Sequence, residues 1–248
     1  MMTSQASQAP DRFATTRWSM VMQLADKDSA LARDALGDLA QRYWYPVYAY
    51  VRQSGQPPAT AADVTRHMLQ RIVRDSASGH APNASRHYRN YLLERVRSLL
   101  DGDWTTIIGE EIPASAEFAA PDDLENRYQR DHAAKNSPEQ AFQRSFALVV
   151  LRRTLQRLRD EAARSGRADM CRALEPYLVR DPASTDFDRL AVQLRTRKVA
   201  LILGLKRLRH RLRELAAQEL ADTVSSAEDL ESEQDALLAI LDEVNWMK

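Results

Sequence analysis

Residues 187–215, FDRLAVQLRTRKVALILGLKRLRHRLREL, decide the fold class. Apolar residues recur in this stretch every three or four positions, which is the spacing of an amphipathic helix. A break at 195–197 interrupts the repeat, so we predict a first helix up to Leu194 and a second helix from about Arg197. Two helices joined by so short a turn are typical of a helix-turn-helix unit. The apolar stripe of the second helix consists of Val199, Ile202, Leu205, Leu208, Leu212 and Leu215.

Basic residues surround this turn and continue along the second helix. In a helix-turn-helix unit the second helix lies in the major groove of DNA, with polar side chains near its N-terminus facing base edges. The residues that we expect to contact DNA are Arg195, Arg197, Lys198, Lys206 and Arg207. Further positive charge comes from Arg209, His210, Arg211 and Arg213. The alternative interpretation is a solvated basic face on an ordinary amphipathic helix, since short helix pairs are common.

The whole chain has the composition of a folded helical protein. Of its 248 residues 44% are apolar and 28% are charged, and only seven are glycine. No stretch rich in Val, Ile and Thr alternates as a half-exposed strand does. We therefore predict an all-α protein.

Charge is segregated along the chain although the totals balance, with 35 Lys plus Arg and 35 Asp plus Glu. Residues 1–100 and 141–221 are basic, whereas residues 101–140 and 222–248 are acidic. Basic blocks suit a polyanion such as DNA. The acidic segments either solvate the chain or fold back on the basic faces.

These patterns predict two helical domains joined by an acidic linker. The first domain covers residues 13–104, and residues 105–137 form the linker, which is weakly periodic and contains proline. The second domain covers residues 138–225 and includes the helix-turn-helix unit, and an acidic C-terminal helix follows at 226–248. Ser137-Pro138-Glu139-Gln140 marks a helix start, because it combines an N-cap, a proline at the first helical position and a capping-box glutamine.

Helical spacing also predicts the main elements inside the two domains. Pro46 lies within the second predicted helix and should kink that helix or mark its first turn after a break. The predicted elements are a short helix at 15–24, helices over 30–53, 59–74 and 85–100, a long helix from 138 to about 164, and a short helix through Met170 to Leu178.

Several function classes are excluded by the sequence. Cys171 is the only cysteine, so an internal disulfide is impossible; a reducing compartment fits, and we expect a buried structural thiol. The N-terminus lacks the apolar core of a signal peptide, and no apolar run approaches the ~20 residues that cross a bilayer. We therefore expect a cytoplasmic protein without a membrane partner.

Enzyme chemistry is not expected either. The five histidines show no metal-ligand spacing, and the seven glycines form no phosphate-binding loop. We expect no catalytic residue, no metal, no other cofactor and no small-molecule substrate.

Four parts of the chain together suggest a family. They are Thr15-Thr16-Arg17-Trp18-Ser19, the aromatic stretch 42–52 (RYWYPVYAYVR), Tyr88–Leu93 with Trp104, and the segments 190–194 and 206–209 of the helix pair. In these parts the chain resembles the extracytoplasmic-function sigma factors of bacterial RNA polymerase, over roughly residues 13 to 225. The aromatic stretch is the most specific part of the match, although taken alone it could simply be core.

The resemblance implies a function in transcription initiation. The N-terminal domain would bind core RNA polymerase and the upstream hexamer of promoter DNA, and the C-terminal domain would bind the farther promoter element. A Ser/Thr kinase and an anti-sigma factor are further candidate partners. The DNA contacts that the resemblance implies in the first domain are Arg86, Arg89, Asn90, Arg97 and Trp104. The polymerase contacts that it implies are Tyr43, Asp63, Arg66 and Arg71.

The helix at 59–74 departs from the family pattern. Family members carry an acidic face there that docks on polymerase, whereas this chain has Asp63 as its one acid beside three arginines. A phosphate on Thr60 or Thr65 would restore about −1.5 to −2 charges at this place. We therefore hypothesise that a Ser/Thr kinase switches on polymerase binding; the alternative is that both are ordinary helix-start threonines.

Two further departures concern DNA. The segment 105–111 after Trp104 contains acid where the family has a basic run, and acid repels phosphate. At the turn of the helix pair Arg195 replaces the usual glycine, and Ile202 and Leu203 stand where polar side chains would read bases. The acidic segment 101–125 and the acid-poor helix at 59–74 favour the alternative function, a degenerate sigma-like interaction protein that binds polymerase or another partner without opening promoters.

Overall fold

The computed structural model describes five ranges of the chain and several residues near its C-terminus. All of the regular structure in the described residues is helical, which confirms the predicted fold class. The short helix predicted at 15–24 lies outside the described residues, as do Arg86 and Trp104. The described residues are 30–77, 88–102, 123–132, 137–178, 180–221, Leu230, Glu231, Gln234, Asp235 and Leu237.

Eight α-helices follow one another in the described ranges. No helix there is both long and apolar enough to cross a membrane. A 3₁₀ turn, Glu175–Tyr177, follows the sixth helix. The helices are α1 Ala30–Gln53, α2 Pro58–Ala77, α3 Tyr88–Asp101, α4 Leu124–Asp131, α5 Pro138–Arg164, α6 Ala168–Leu174, α7 Ser184–Gln193 and α8 Lys198–Ala221.

Helix α1 is the centre of the first half of the molecule. Every residue from Arg42 to Val51 is buried, so this part of the helix has neighbours on all sides. Helices α2, α3, α4 and α5 all pack against it. The ring of Tyr43 stacks on that of Phe146 in α5, with the ring centroids 5.2 Å apart. The helix continues through Pro46, so the new helix start that we considered at this proline is not present.

The expected linker contributes a helix to this core. Tyr45 donates its hydroxyl hydrogen bond to Asp131 (2.9 Å), and Tyr48 donates to Glu125 (2.6 Å). Both acids lie on α4, whose first residue Leu124 is buried in the aromatic core. Residues 123–132 are therefore a packed element and not a solvated linker, because buried tyrosine rings require acceptors for their hydroxyl groups.

Helix α5 joins two apolar cores. The first core contains Phe142 and Phe146 from its N-terminal half, whereas the second contains Leu155 and Leu158 from its C-terminal half. The predicted boundary at residue 138 consequently marks the start of a helix but does not separate the cores. The predicted helix start is confirmed, because the Ser137 hydroxyl accepts from the Gln140 amide and the Gln140 side chain accepts from the Ser137 amide.

The second core is built by α6, α7, α8 and the C-terminal half of α5. Leu190 of α7 and Leu201 and Leu205 of α8 are buried in it. Cys171 of α6 is also buried there, which confirms the expected structural thiol. Burial raises the pKa of this thiol.

A buried carboxylate connects the two halves. Glu219, near the end of α8, is 4% exposed and accepts hydrogen bonds from Arg153 (3.0 Å) and Arg157 (2.8 Å) of α5. Arg42 of α1 donates to the Glu219 backbone carbonyl (3.1 Å) and to Asp38 (2.9 Å). The end of α8 is thereby fastened to the centre of the first core, where Leu220 is buried.

The described part of the acidic C-terminal segment follows α8 back to the first core. Leu237 is buried in that core, and Leu230 packs against it. All five described residues of this segment are helical. The acidic segment thus places its described apolar residues on the aromatic core.

Candidate nucleic-acid interface

The turn between α7 and α8 has a defined backbone geometry. The amide of Arg195 donates to the Val192 carbonyl (3.2 Å), and the amide of Thr196 donates to the Ala191 carbonyl (3.0 Å). This pair of hydrogen bonds is the Schellman motif, which requires a left-handed residue after the helix. That residue is Arg195, with φ of 48°. The sequence predicted the turn correctly, and the conformation explains why glycine would be usual there.

Lys198 fastens the start of α8 to α7. Its Nζ lies 2.8 Å from an Asp188 carboxylate oxygen and donates to the Ser184 hydroxyl (2.9 Å). One of the five residues predicted to contact DNA from the helix pair is therefore already paired within the fold. Such a lysine can still lie near phosphate, but it has to exchange these partners to bind it.

The solvent-facing side of α8 changes character along its length. Its first half exposes Val199 (65%), Ile202 (45%) and Leu203 (48%). Farther along the helix, Lys206, Arg207 and Arg213 are exposed. Two members of the predicted apolar stripe, Val199 and Ile202, therefore face solvent. The stripe that packs in the core runs instead through Leu201, Leu205 and Leu215, and Val199 and Ile202 lie on the other side of the helix.

Two of the predicted extra cations of α8 bind partners inside the protein. Arg209 donates to the Tyr177 carbonyl (2.8 Å) and lies 2.9 Å from Asp181. Arg211 binds Glu161 through two hydrogen bonds of 2.7 Å each. Both side chains thus hold α8 against neighbouring elements. Because internal partners bind them, little of their charge is available to a nucleic acid.

The remaining predicted cations of the helix pair are exposed to solvent. Arg195 and Arg197 are exposed in and after the turn. Lys206, Arg207 and Arg213 have no acidic partner among the described residues. The turn and the exposed face of α8 therefore present five positive charges without an acidic partner in the described part of the chain, and such a group of cations suits phosphate.

The residues of α3 form a second, weaker group. Asn90 is exposed, whereas the guanidinium of Arg89 lies 5.4 Å from the ring centroid of Phe146. Arg97 donates to Glu139 on α5 (2.8 Å), and this hydrogen bond raises the pKa of the arginine. Of the α3 residues predicted to contact DNA, Asn90 and Arg97 are both exposed, but Arg97 is engaged by a carboxylate.

The predicted polymerase contacts separate into buried and exposed residues. Tyr43 is fully buried in the aromatic core, so it cannot contact a partner while the protein is folded. This prediction is wrong for the folded state, because the aromatic stretch lies on the central helix. Asp63 and Arg66 are paired with each other on the outer face of α2, and Arg71 is exposed on the same helix.

The two candidate phosphorylation sites differ in accessibility. Thr65 is fully buried and donates its hydroxyl hydrogen bond to the Ala61 carbonyl (2.7 Å). Thr60 is partly exposed in the first turn of α2, which begins at Pro58. A phosphate is favourable near a helix N-terminus. A kinase can therefore reach Thr60 in the folded protein, whereas Thr65 requires α2 to open.

A groove of about 560 Å³ lies beside α8. At Gly204 the helix comes so close to α6 that a Cβ atom would lie 3.0 Å from Met170 Sδ. Leu158 and Cys171 line the groove, and Leu203 belongs both to the groove and to the exposed face of α8. Arg167 and Arg207 also line it. The sequence analysis did not identify this feature, because α8 is separated in the chain from the other two walls of the groove, α5 and α6.

No group of His, Cys, Asp or Glu residues in the described ranges is arranged to hold a metal ion. Comparison with protein-family models, with curated proteins and with solved structures finds no match to this chain. Inference about function therefore rests on the residues and on their arrangement.

Proposed function

We propose that this protein is a sigma-type transcription initiation factor, whose helix pair α7–α8 binds promoter DNA while α1 to α3 serve core RNA polymerase. The observation that supports the proposal is the set of exposed cations Arg195, Arg197, Lys206, Arg207 and Arg213 in the turn between α7 and α8 and along α8. The resemblance in the aromatic stretch supplies the polymerase part of the proposal. The buried rings of that stretch act as the scaffold on which α2 and α3 are held.

The proposal gives the two halves connected roles. Because α5 contributes to both cores and Glu219 ties α8 to α1, a partner on α2 and DNA on α8 are held by one framework. A framework of this kind keeps two binding elements at a fixed separation. A fixed separation lowers the entropic cost of binding the second partner once the first is bound.

Salt-dependent DNA binding tests whether the exposed cations of the turn and of α8 contact DNA. We expect the full chain to bind duplex DNA with a steep salt dependence, and each lost phosphate contact to lower the slope of log K against log salt concentration by about 1. Replacing Arg197, Lys206 and Arg207 together by Ala should therefore lower the slope by about 3. The control is Arg172→Ala, which removes an exposed charge on α6. Equal loss in the control and in the triple variant would reject this interface.

A second candidate function has its own observation. Val199, Ile202 and Leu203 occupy the half of α8 that would face base edges, and apolar side chains there cannot form the hydrogen bonds of direct readout. This favours a sigma-like interaction protein that binds polymerase or another partner without opening promoters. The two candidates are separated by transcription from a promoter template, since only the first predicts a transcript.

A further inference from the structure

Three arginines of α4 and α5 lie near the C-terminal end of α4, beside α1. The Cζ atom of Arg127 in α4 is 3.5 Å from the ring centroid of Tyr45 in α1, while Arg144 and Arg152 belong to α5. Asp131, the last residue of α4, accepts hydrogen bonds from Tyr45 (2.9 Å) and Arg152 (3.0 Å). In the described part of the chain Asp131 is the one acid that pairs with these arginines. We call Arg127, Arg144 and Arg152 the α4–α5 arginine cluster.

Several nitrogen atoms of this cluster are buried without a hydrogen-bond partner among the described residues. They are Nε and Nη2 of Arg127 and Nε of Arg144. The Nε atom of Arg127 lies 3.7 Å from an Asp131 carboxylate oxygen, which is too far for a hydrogen bond. Burial, together with the charge of Arg152, lowers the pKa of Arg127 to about 10. Buried donors of this kind require acceptors, because burial removes their hydration.

His132, directly after α4, adds a further buried donor. The residue is 8% exposed, and its Nε2 lies 2.8 Å from the Ser145 hydroxyl oxygen. Its Nδ1 is buried without a partner in the described ranges. Burial and the nearby charge of Arg144, with a smaller contribution from Arg127, lower the pKa of His132 and keep the ring neutral. A neutral ring that accepts from Ser145 at Nε2 carries its proton on Nδ1 and can donate there.

The charges of the cluster define what it would bind. Three guanidinium groups stand beside one carboxylate, so an anion with about two negative charges would neutralise the group. The side chain of Arg152 is 43% exposed, whereas that of Arg127 is 22% exposed, so the cluster is most open to solvent at Arg152. The Nε and Nη2 atoms of an arginine form the edge that binds two oxygen atoms of one oxyanion side by side.

We propose that the α4–α5 arginine cluster binds a phosphate group. Two phosphate oxygens would accept from Nε and Nη2 of Arg127, and Nε of Arg144 and Nδ1 of His132 would donate to the others. Inorganic phosphate and the phosphate group of a monoester share this chemistry. The bound group would join α4 to α5. The proposal does not rest on sigma activity, because none of these residues belongs to the cations of the turn or of α8.

Calorimetric titration of the full chain with inorganic phosphate, at constant ionic strength kept by sodium chloride, tests the proposal. We expect saturable binding. We also expect a thermal midpoint about 3–6 °C higher at a phosphate concentration of about ten times the Kd than in chloride alone, because the ligand binds only the folded chain. The absence of both binding and a midpoint difference would overturn the proposal. Phenyl phosphate in a second titration distinguishes the two sources: tighter binding of the ester identifies a monoester as the ligand, and weaker binding identifies free phosphate.

Variants locate the phosphate in the cluster. Arg127→Gln and Arg144→Gln should each weaken phosphate binding at least about 10-fold, because each removes charge-assisted hydrogen bonds. Arg144→Gln leaves the contact between Arg127 and Tyr45 in place, so it tests the site without disturbing the packing of α4 on α1. The matched control is Arg130→Gln, which replaces an exposed arginine of α4 and should keep the wild-type affinity. Thermal midpoints without phosphate verify that each variant is folded.

The cations of α8 are the other place where phosphate could bind. The triple Ala variant of Arg197, Lys206 and Arg207 should keep phosphate binding, and Arg144→Gln should keep DNA binding. These two variants therefore separate a failure of this proposal from a failure of the proposed function. Phosphate binding that is lost in the triple variant and kept in Arg144→Gln would place the anion on α8, and the cluster proposal would be wrong.

Discussion

Arg195 occupies the same position after α7 that Gly166 occupies after α5. Each residue has a left-handed backbone, with φ of 48° for Arg195 and 68° for Gly166. Each donates its amide to a carbonyl three residues earlier, and the next residue donates to a carbonyl five residues earlier. The two helix ends are therefore the same Schellman motif, built once with the residue that favours it and once with an arginine.

The strain at Arg195 predicts a stabilising substitution. Arg195→Gly should raise the free energy of unfolding by about 0.5–1 kcal/mol, because glycine adopts positive φ without a Cβ clash. Arg195→Ala keeps the Cβ atom and removes the charge, so it controls for electrostatics and should not stabilise. Gly166→Arg should lower the free energy of unfolding by a similar amount. The new Cβ would meet no atom within 4 Å, so the cost comes only from the left-handed backbone conformation. Urea unfolding measures the stability of all three variants. A destabilised Arg195→Gly variant would contradict the left-handed conformation of Arg195.

The Glu219 cluster predicts a strongly destabilising substitution. Glu219→Ala should cost about 3 kcal/mol, because it removes one of the two carboxylates beside the buried Arg42, the other being that of Asp38. The matched control is Glu214→Ala on the exposed side of α8, which should leave the urea midpoint unchanged. Burial opposes ionisation of Glu219, but Arg42, Arg157 and Arg153 outweigh it and hold the pKa of the carboxyl below its ordinary value. The contribution of Glu219 is therefore present above its unfolded pKa and lost as the pH falls below it.

His132 predicts a separate pH dependence of stability. Burial, with Arg144 nearby, lowers the pKa of His132 to about 4, and its Nε2 lies 2.8 Å from the Ser145 hydroxyl. The unfolded chain binds a proton near pH 6.5 while the folded chain does not, so stability decreases as the pH falls from 6.5 to 4. His132→Gln should remove this decrease, which amounts to at most about 3 kcal/mol.

Unfolding measured at pH 7 and pH 4.5 checks the His132 prediction. The control is His210→Gln, which replaces an exposed histidine on α8. An unchanged decrease in the His132→Gln variant would show that the histidine is not buried in its neutral form.

The burial of Thr65 predicts which threonine can act as a switch. Thr65→Asp should destabilise the protein by about 2 kcal/mol or more, since it places a charge at a fully buried position. Thr60→Asp should fold normally and, under the phosphorylation hypothesis, bind core polymerase more tightly than Thr60→Gln, which lacks the charge. Pull-down of core polymerase by each variant measures the difference. Equal binding by the Asp and Gln variants would argue against a switch at Thr60.

The sequence predicted the features that depend on local patterns of residues. Helical spacing located α1, α5 and the α7–α8 pair, and the capping box located the start of α5, because these features depend on residues within a few positions of each other. It failed for α4 and for the role of Tyr43. Acidic residues on α4 resembled a solvated linker, and only the tertiary fold shows that tyrosines of α1 bind them.

The candidate site was predicted in part for the same reason. The exposure of Arg197 and Arg207 could be inferred from the pattern of a basic amphipathic helix. The internal partners of Arg209 and Arg211, and the groove beside Leu203, could not, because they depend on elements about 30 to 50 residues away in the chain. The run Leu201-Ile202-Leu203 was the one local sign that an apolar side chain faces outward.

Run-off transcription with purified core RNA polymerase tests the central claim most directly. Genomic fragments from the source organism serve as templates, with the wild-type chain, with Thr60→Asp and with the triple Ala variant of Arg197, Lys206 and Arg207. We predict discrete transcripts that depend on the added chain and disappear with the triple variant. Absence of both chain-dependent transcripts and polymerase binding, for the wild type and for Thr60→Asp, would contradict the claim that this helical protein acts in transcription initiation.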